Sequence, residues 1–239
     1  MRLHILSDLH IDNQSFTLPE VDADVIVIAG DVGAAPSVIQ WLKNIKKPII
    51  YVAGNHEYYF HEISEWLDLL RRSNIKHFLE NDQIVLNGVR FLGCTLWTDF
   101  ALMGDARKAR EDSENRLSDY RRIFTKNGSL TGLDVLGMHT FSRRWLTGKL
   151  NEPFEGPTVV VTHFAPSINC CAPRPLNYLA PSFIVDMGEM FGKCKLWVHG
   201  HTHGKSDLTI NGTRIISNQL GYAGESLMCR FNPKLVVEV

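Results

Sequence analysis

The sequence predicts an α/β fold. Short, apolar, mostly β-branched runs alternate with segments of helical periodicity, and five of the runs end in a compact polar cluster. Such clusters at strand carboxyl ends are where open α/β sheets gather their ligands.

The elements follow in order. Leu3 to Leu6, Val25 to Ala29 and Ile49 to Ala53 have the length and composition of buried strands. Ser37 to Lys46 follows Pro36, a helix-start signal, and sets Val38, Ile39, Trp41, Leu42 and Ile45 on one stripe; Glu62 to Arg72 repeats the pattern with Ile63, Trp66, Leu67, Leu69 and Leu70. Strand, helix and strand in succession imply parallel pairing. Gln83 to Leu86, Asn87-Gly88 and Val89 to Gly93 form a two-residue hairpin signal, which makes the sheet mixed. Asp99 to Leu150 is charged and helix-prone. Thr158 to Thr162 and Lys195 to His199 are further strands, with a Pro-rich loop from Phe164 to Ser182 between them. Leu208 to Ile210, Asn211-Gly212 and Thr213 to Ser217 form a second hairpin, and Leu235 to Val239 closes the chain. With no repeat, low-complexity tract or linker, one domain over 1–239 is expected, with 99–150 as a helical cap insertion.

Composition narrows the function classes. With 44% hydrophobic and 21% charged residues, the 239-residue chain can bury a substantial core. A formal charge of −1 supplies no field for a polyanion, so a nucleic-acid partner is not expected and any phosphate must be attracted by the site itself. No apolar stretch approaches the ~18 residues of a membrane span, and Met1 to Ser7 leaves no room for a signal peptide, so a cytoplasmic enzyme is expected. Cys94, Cys170, Cys171, Cys194 and Cys229 are odd in number and form no C-x-x-C pair, which favours reduced thiols.

The five clusters are Asp8-Leu9-His10, Gly30-Asp31, Gly54-Asn55-His56-Glu57, Thr162-His163 and Gly200-His201-Thr202-His203. Residues i and i+2 of a strand face one way, so Asp8 and His10 can chelate a single ion, although an exposed strand-end pair looks the same in isolation. Asp31 follows a buried strand; a lone Asp there is commonly a helix cap, but one carboxylate can also bridge two cations ~3.5–4 Å apart. Asn55 offers a neutral amide oxygen, and His56, pointing elsewhere, is free to move protons. His163, His201 and His203 complete a set that suits two mid-row transition metals. His199 lies inside its strand and reads as a core residue, while His4, His61, His77 and His139 belong to no cluster.

In this order, D-x-H, G-D, G-N-H-E, a late strand-end H and G-H-x-H resemble the calcineurin-like metallophosphoesterase superfamily over positions 8 to 203. The resemblance implies a four-layer α/β/β/α sandwich of two mixed sheets with a dinuclear site at its edge. It implies that Asp8, His10, Asp31 and His203 hold one metal, that Asp31, Asn55, His163 and His201 hold the other, and that His56 is the general acid. The arginine-bearing D-R-G signature of the Ser/Thr protein phosphatases is absent, since Gly30-Asp31 continues as Val32-Gly33-Ala34. The tyrosine ligand of the purple acid phosphatases is absent too. The chain instead resembles small bacterial phosphoesterases, and Thr95 to Phe100 resembles a predicted-phosphohydrolase subgroup.

Charge counting supports phosphoester hydrolysis separately. Two divalent ions, less Asp8, Asp31 and a bridging hydroxide, leave a formal excess of about +1 that draws in a phosphoryl group. The hydroxide would attack phosphorus in line, and His56 would protonate the leaving group. Four imidazoles favour Mn²⁺, Fe or Zn²⁺ over Mg²⁺ or Ca²⁺. The expected substrate is a small-molecule or nucleotide phosphodiester; a phosphomonoesterase, a metal-dependent nuclease and a non-catalytic scaffold are the alternatives. Asn55 and His56, together with Arg121 in the segment Arg107 to Arg122 and Arg174 in the Pro-rich loop, are candidate substrate contacts. For Arg107 to Arg122 the competing reading is a solvated helix whose charges compensate one another.

Overall fold

Which face each residue buries decides how the apolar runs pair. A computed structural model of the chain describes residues 1–34, 36–171, 177–225 and 230–239. Its elements are β1 (Arg2–Leu6), β2 (Val25–Ala29), α1 (Pro36–Lys43), β3 (Ile49–Val52), α2 (Ile63–Arg72), β4 (Asp82–Leu86), β5 (Val89–Cys94), α3 (Ala106–Arg116), α4 (Asp119–Arg122), β6 (Phe124–Thr125), β7 (Gly128–Ser129), α5 (Gly132–Asn151), β8 (Thr158–Thr162), β9 (Leu196–His199), β10 (Asp207–Ile210), β11 (Thr213–Ser217) and β12 (Val236–Glu238).

Two mixed sheets result, ordered β12-β1-β2-β3 and β10-β11-β9-β8-β5-β4, with β6 and β7 as a separate ribbon. β1, β2 and β3 are parallel, as are β5, β8, β9 and β11; the antiparallel members β12, β4 and β10 lie at sheet edges. Residue patterns alone suggested that the first hairpin extends the sheet of β1 to β3. The hairpin instead joins the second sheet, where β5 pairs with β8 from Arg90↔Thr158 to Cys94↔Thr162.

Alternation within each strand builds the layers. Leu3, Ile5, Val25, Val27, Ile50 and Val52 of the first sheet share one buried cluster with Phe91, Val159, Val161, Leu196, Val198 and Ile216 of the second. The intervening residues point outward: Ile26, Ile28 and Tyr51 join the cluster containing Val38 and Leu42 of α1 and Trp66 and Leu70 of α2, while Leu92, Val160 and Trp197 join Val135 and Leu146 of α5. Helices therefore cover both outer faces, giving the four-layer sandwich.

Local chemistry sets the helix ends. α1 stops at Lys43 rather than Lys46, because the Asn44 amide is shared between the Gln40 and Trp41 carbonyls, both at 3.2 Å, and Pro48 follows closely. The Glu62 side chain caps α2 by accepting from Ser64 N and Glu65 N, and Thr131 and Asp134 form a reciprocal capping box on α5. Residues 99–150 hold α3, α4, the β6–β7 ribbon and most of α5.

Just beyond the end of β5, Glu80 accepts from Thr95 N at 2.8 Å and Thr95 Oγ1 at 2.7 Å, and burial pushes its carboxyl up to about 7. A carboxyl raised in the folded state holds its proton where the unfolded chain has lost it, so this group's contribution to stability falls as pH rises from about 4.5 to about 7. Glu80→Gln removes that term. Urea unfolding of both proteins from pH 5 to 8 is expected to show the variant gaining on the parent by up to about 3 kcal/mol; a pH-independent difference would contradict this.

Candidate metal centre

All five polar clusters sit at carboxyl ends of parallel strands: Asp8 and His10 after β1, Asp31 after β2, Asn55 and His56 after β3, His163 after β8, and His201 and His203 after β9. Asp8, His10, Asp31, His201 and His203 adopt left-handed backbone, with φ of 53°, 43°, 52°, 71° and 46°. Such conformations cost a non-glycine residue of order 1 kcal/mol, and they persist where the surroundings over-determine them. Backbone bonds between the loops do so here, including Asp8 N to Gly30 O at 3.0 Å, His10 N to Asp31 O at 3.1 Å and Gly200 N to His163 O at 2.9 Å. Gly30 is required twice over, by φ of +84° and because a methyl there would overlap His163 Nδ1.

The side chains converge in two groups. In one, His203 Nε2 lies 3.4 Å from Asp8 Oδ1 and 3.2 Å from His10 Nε2, and His10 Nε2 lies 3.8 Å from Asp31 Oδ2. In the other, His163 Nε2 lies 3.4 Å from Asp31 Oδ1, 3.1 Å from Asn55 Oδ1 and 3.1 Å from His201 Nδ1. Ligand atoms about 2.1 Å from a common cation stand from about 3.0 Å apart when adjacent to about 4.2 Å when opposite, so both groups have the spacing of a coordination shell. Asp31 belongs to both, one oxygen to each.

The charges fit cations as well. Asp8 and Asp31 are fully buried, and their ion-pair partners among the described residues are histidines alone. Burial pushes the Asp8 carboxyl up, but His203 and His163 outweigh it and hold it below the usual range; His163 and His56 do the same more strongly for Asp31. In return, His163 is pushed up to about 9: burial opposes its charge, and Asp31 overcomes that opposition. Burial lowers His10 to about 4 and His201 well below its usual range. The His163 Nδ1–H donates to the Ala29 carbonyl at 2.8 Å, so the proton that Asp31 favours sits on Nε2, facing the group, where a cation would displace it.

His56 lies at the edge of this set, its ring nitrogen within 4.8 Å of ligand atoms of His10 and Asp31. Its ring stacks on Tyr59 with centroids 4.2 Å apart, and its Nε2 is 3.0 Å from the Tyr222 hydroxyl and 4.0 Å from Asp31 Oδ2. A cavity of about 330 Å³ opens here, walled by Tyr59, Leu117, Phe183, Ile184 and Tyr222. Arg121 does not reach it: the side chain is exposed and donates to the carbonyls of Asn115 and Arg116 at 3.4 and 3.5 Å. Arg174 lies outside the described residues.

Supporting residues that sequence reasoning passed over are now visible. Glu57 accepts from Asp31 N at 3.0 Å, Val32 N at 2.6 Å and Gly54 N at 2.6 Å, fastening the loops after β2 and β3 together. Its place in G-N-H-E was the available signal. Glu225 Oε2 meets His203 Nδ1 at 2.7 Å, and Asp119 Oδ1 accepts from Asn55 Nδ2 at 3.0 Å. Neither stands in a motif.

Comparison with known proteins identifies the family. Residues 1–205 match the family model for calcineurin-like phosphoesterases. An uncharacterized protein of Acanthamoeba polyphaga mimivirus is 28% identical, over 99% of this chain and 96% of its own. Among solved structures, the phosphopantetheinyl hydrolase of Mycobacterium tuberculosis is similar in fold, with a TM-score of 0.76 at 18% identity over 94% of this chain and 90% of that one. A Staphylococcus aureus chain named as a 5′-nucleotidase has a TM-score of 0.53 at 15% identity, covering 93% of this chain and 49% of that one. No helix among the described residues is long and apolar enough to cross a membrane.

A methyl on Gly54 would overlap Asp31 Oδ1. Gly54→Ala is therefore expected to weaken Mn²⁺ binding at least about tenfold by displacing Asp31, without altering any candidate ligand. Calorimetric titration checks this, and an unchanged isotherm in a folded variant would count against the site's geometry.

Proposed function

Because the chain belongs to the calcineurin-like phosphoesterase family and is accordingly a metal-dependent phosphoesterase, we propose that it hydrolyses a small-molecule or nucleotide phosphodiester. In this reading the centre is dinuclear, with Asp8, His10, Asp31 and His203 holding one ion and Asp31, Asn55, His163 and His201 the other. The observation that carries it is Asp31, whose two oxygens face two separate nitrogen-rich groups at 3.8 and 3.4 Å. The imidazole-rich donor set favours Mn²⁺, Fe or Zn²⁺. Bound there, two divalent ions supply the charge that acidifies a water nucleophile and offsets negative charge on phosphoryl oxygens.

The remaining steps belong to the chain. Asp8 and Asp31 limit the positive excess so that product can leave. His56 protonates the leaving oxygen; stacking on Tyr59 and the Tyr222 hydroxyl fix its ring at the rim of the cavity, within reach of a bound ester. Leu117 and Asp119 from the 99–150 segment line that cavity, which supports reading the segment as a cap within one domain over 1–239. The printed name of the Mycobacterium tuberculosis neighbour supports adding a phosphopantetheine diester to the substrates tried. Cytoplasmic placement is part of the same reading and draws on the buried free thiols of Cys94 and Cys194.

An Mn²⁺-supplemented panel of p-nitrophenyl phosphate, bis-p-nitrophenyl phosphate, cyclic nucleotides, dinucleotides and a phosphopantetheine diester tests it. A diester preference is expected, with His56→Ala lowering kcat by about 10²–10⁴ on alkyl leaving groups while still binding Mn²⁺. Asp31→Ala is expected to lose both metal and turnover. Full activity in His56→Ala on alkyl esters would remove the proton-donor role, and a monoester preference would replace the substrate class.

A further inference from the structure

An asparagine can offer a cation its carbonyl oxygen only if something distinguishes that oxygen from the NH₂ group on the same planar amide. A flip about the last torsion of Asn55 exchanges the two with little change in shape, and would point two N–H donors at the place where positive charge collects. In this protein the distinction is made from outside. Asn55 Oδ1 faces His163 Nε2 at 3.1 Å, and Asn55 Nδ2 donates to Asp119 Oδ1 at 3.0 Å. In the flipped amide two oxygens would meet at that 3.0 Å separation, acceptor against acceptor.

We propose that Asp119 is a positioning residue that turns the Asn55 amide oxygen toward the second cation and ties the segment carrying α4 to the metal centre. Asp119 is largely buried at the wall of the cavity. The Tyr59 hydroxyl holds it, donating to Asp119 Oδ1 at 2.6 Å while sitting 2.8 Å from Ser118 Oγ. Its helix is fastened by backbone bonds to the chain just after the G-N-H-E cluster, Phe60 N to Arg122 O at 2.6 Å and Phe124 N to His61 O at 3.0 Å. The carboxylate is thus set relative to Asn55 by two short spans of backbone, although 64 residues separate the pair in sequence.

The inference rests on the reading that Asn55 faces a cation, and the test separates the two. Mn²⁺ binding by the full-length protein is followed by calorimetric titration. If the parent protein binds no Mn²⁺, the dinuclear reading itself fails. With two sites in the parent, Asp119→Ala is expected to weaken one of them about 10- to 100-fold and leave the other within about threefold, and Asp119→Asn, whose amide oxygen still accepts from Asn55, to restore most of the loss. The pair can also be exchanged. Asn55→Asp alone sets two carboxylates against each other and weakens the same site; adding Asp119→Asn rebuilds the hydrogen bond in the opposite sense and recovers it. Unchanged affinities in Asp119→Ala, an equal fall at both sites in a folded protein, or a double variant no better than Asn55→Asp would each overturn the proposal. If Asp119→Ala does not fold, the exchange pair decides.

Discussion

Two buried carboxylates whose ion-pair partners among the described residues are imidazoles, with no Lys or Arg, are the constraint on which the rest of this structure depends. Asp8 and Asp31 are essentially inaccessible, and an unpaired buried charge costs several kcal/mol. The amides of His201 and His56 donate to Asp8 and Asp31, and a proton on a neighbouring ring adds to this relief, which is why His163 is raised. The strained backbone points the same way: both carboxylate residues and three of the surrounding histidines hold left-handed conformations that a dense set of loop-to-loop bonds sustains. The fold therefore stores unfavourable energy at one edge, and cation binding offsets it by mass action, since the unfolded chain has no such cage.

The sandwich makes that edge possible. Parallel strands in both sheets deliver their carboxyl ends to the same side, so loops from β1, β2, β3, β8 and β9 meet without any long connection reaching in. Glu57 then fastens two of these loops together by accepting their amides. What the sheets do not supply is the wall of the cavity beside the metal-ligating groups. Leu117 and Asp119 come from the helical segment between β5 and β8, and Tyr222 from the loop between β11 and β12. The strand ends thus carry the metal-ligating groups, and the intervening segments wall the cavity beside them.

Much of this could be read from the residues, for identifiable reasons. The strands were legible because fully buried strands are continuous apolar runs, and both hairpins because Asn-Gly suits a type I′ turn. The gathering of Asp8, His10, Asp31, Asn55, His163, His201 and His203 was legible because each follows such a run directly. The division of the strands between two sheets was not: β3 and β8 are equally apolar, and only three-dimensional packing makes β5 choose β8. Asp119 sits among compensating charges in a segment that also reads as a solvated helix, and nothing local says that its carboxylate turns inward. Arg121 misled for the same reason, since a charge marks a residue but not its direction; its guanidinium folds back on its own segment.

Anomalous diffraction from crystals grown with Mn²⁺ tests the central claim most directly. The account predicts two peaks about 3.5–4 Å apart, one on each side of the Asp31 carboxylate. One would lie among Asp8, His10 and His203, the other among Asn55, His163 and His201. A single peak, or peaks that leave Asp31 uncoordinated, would contradict it.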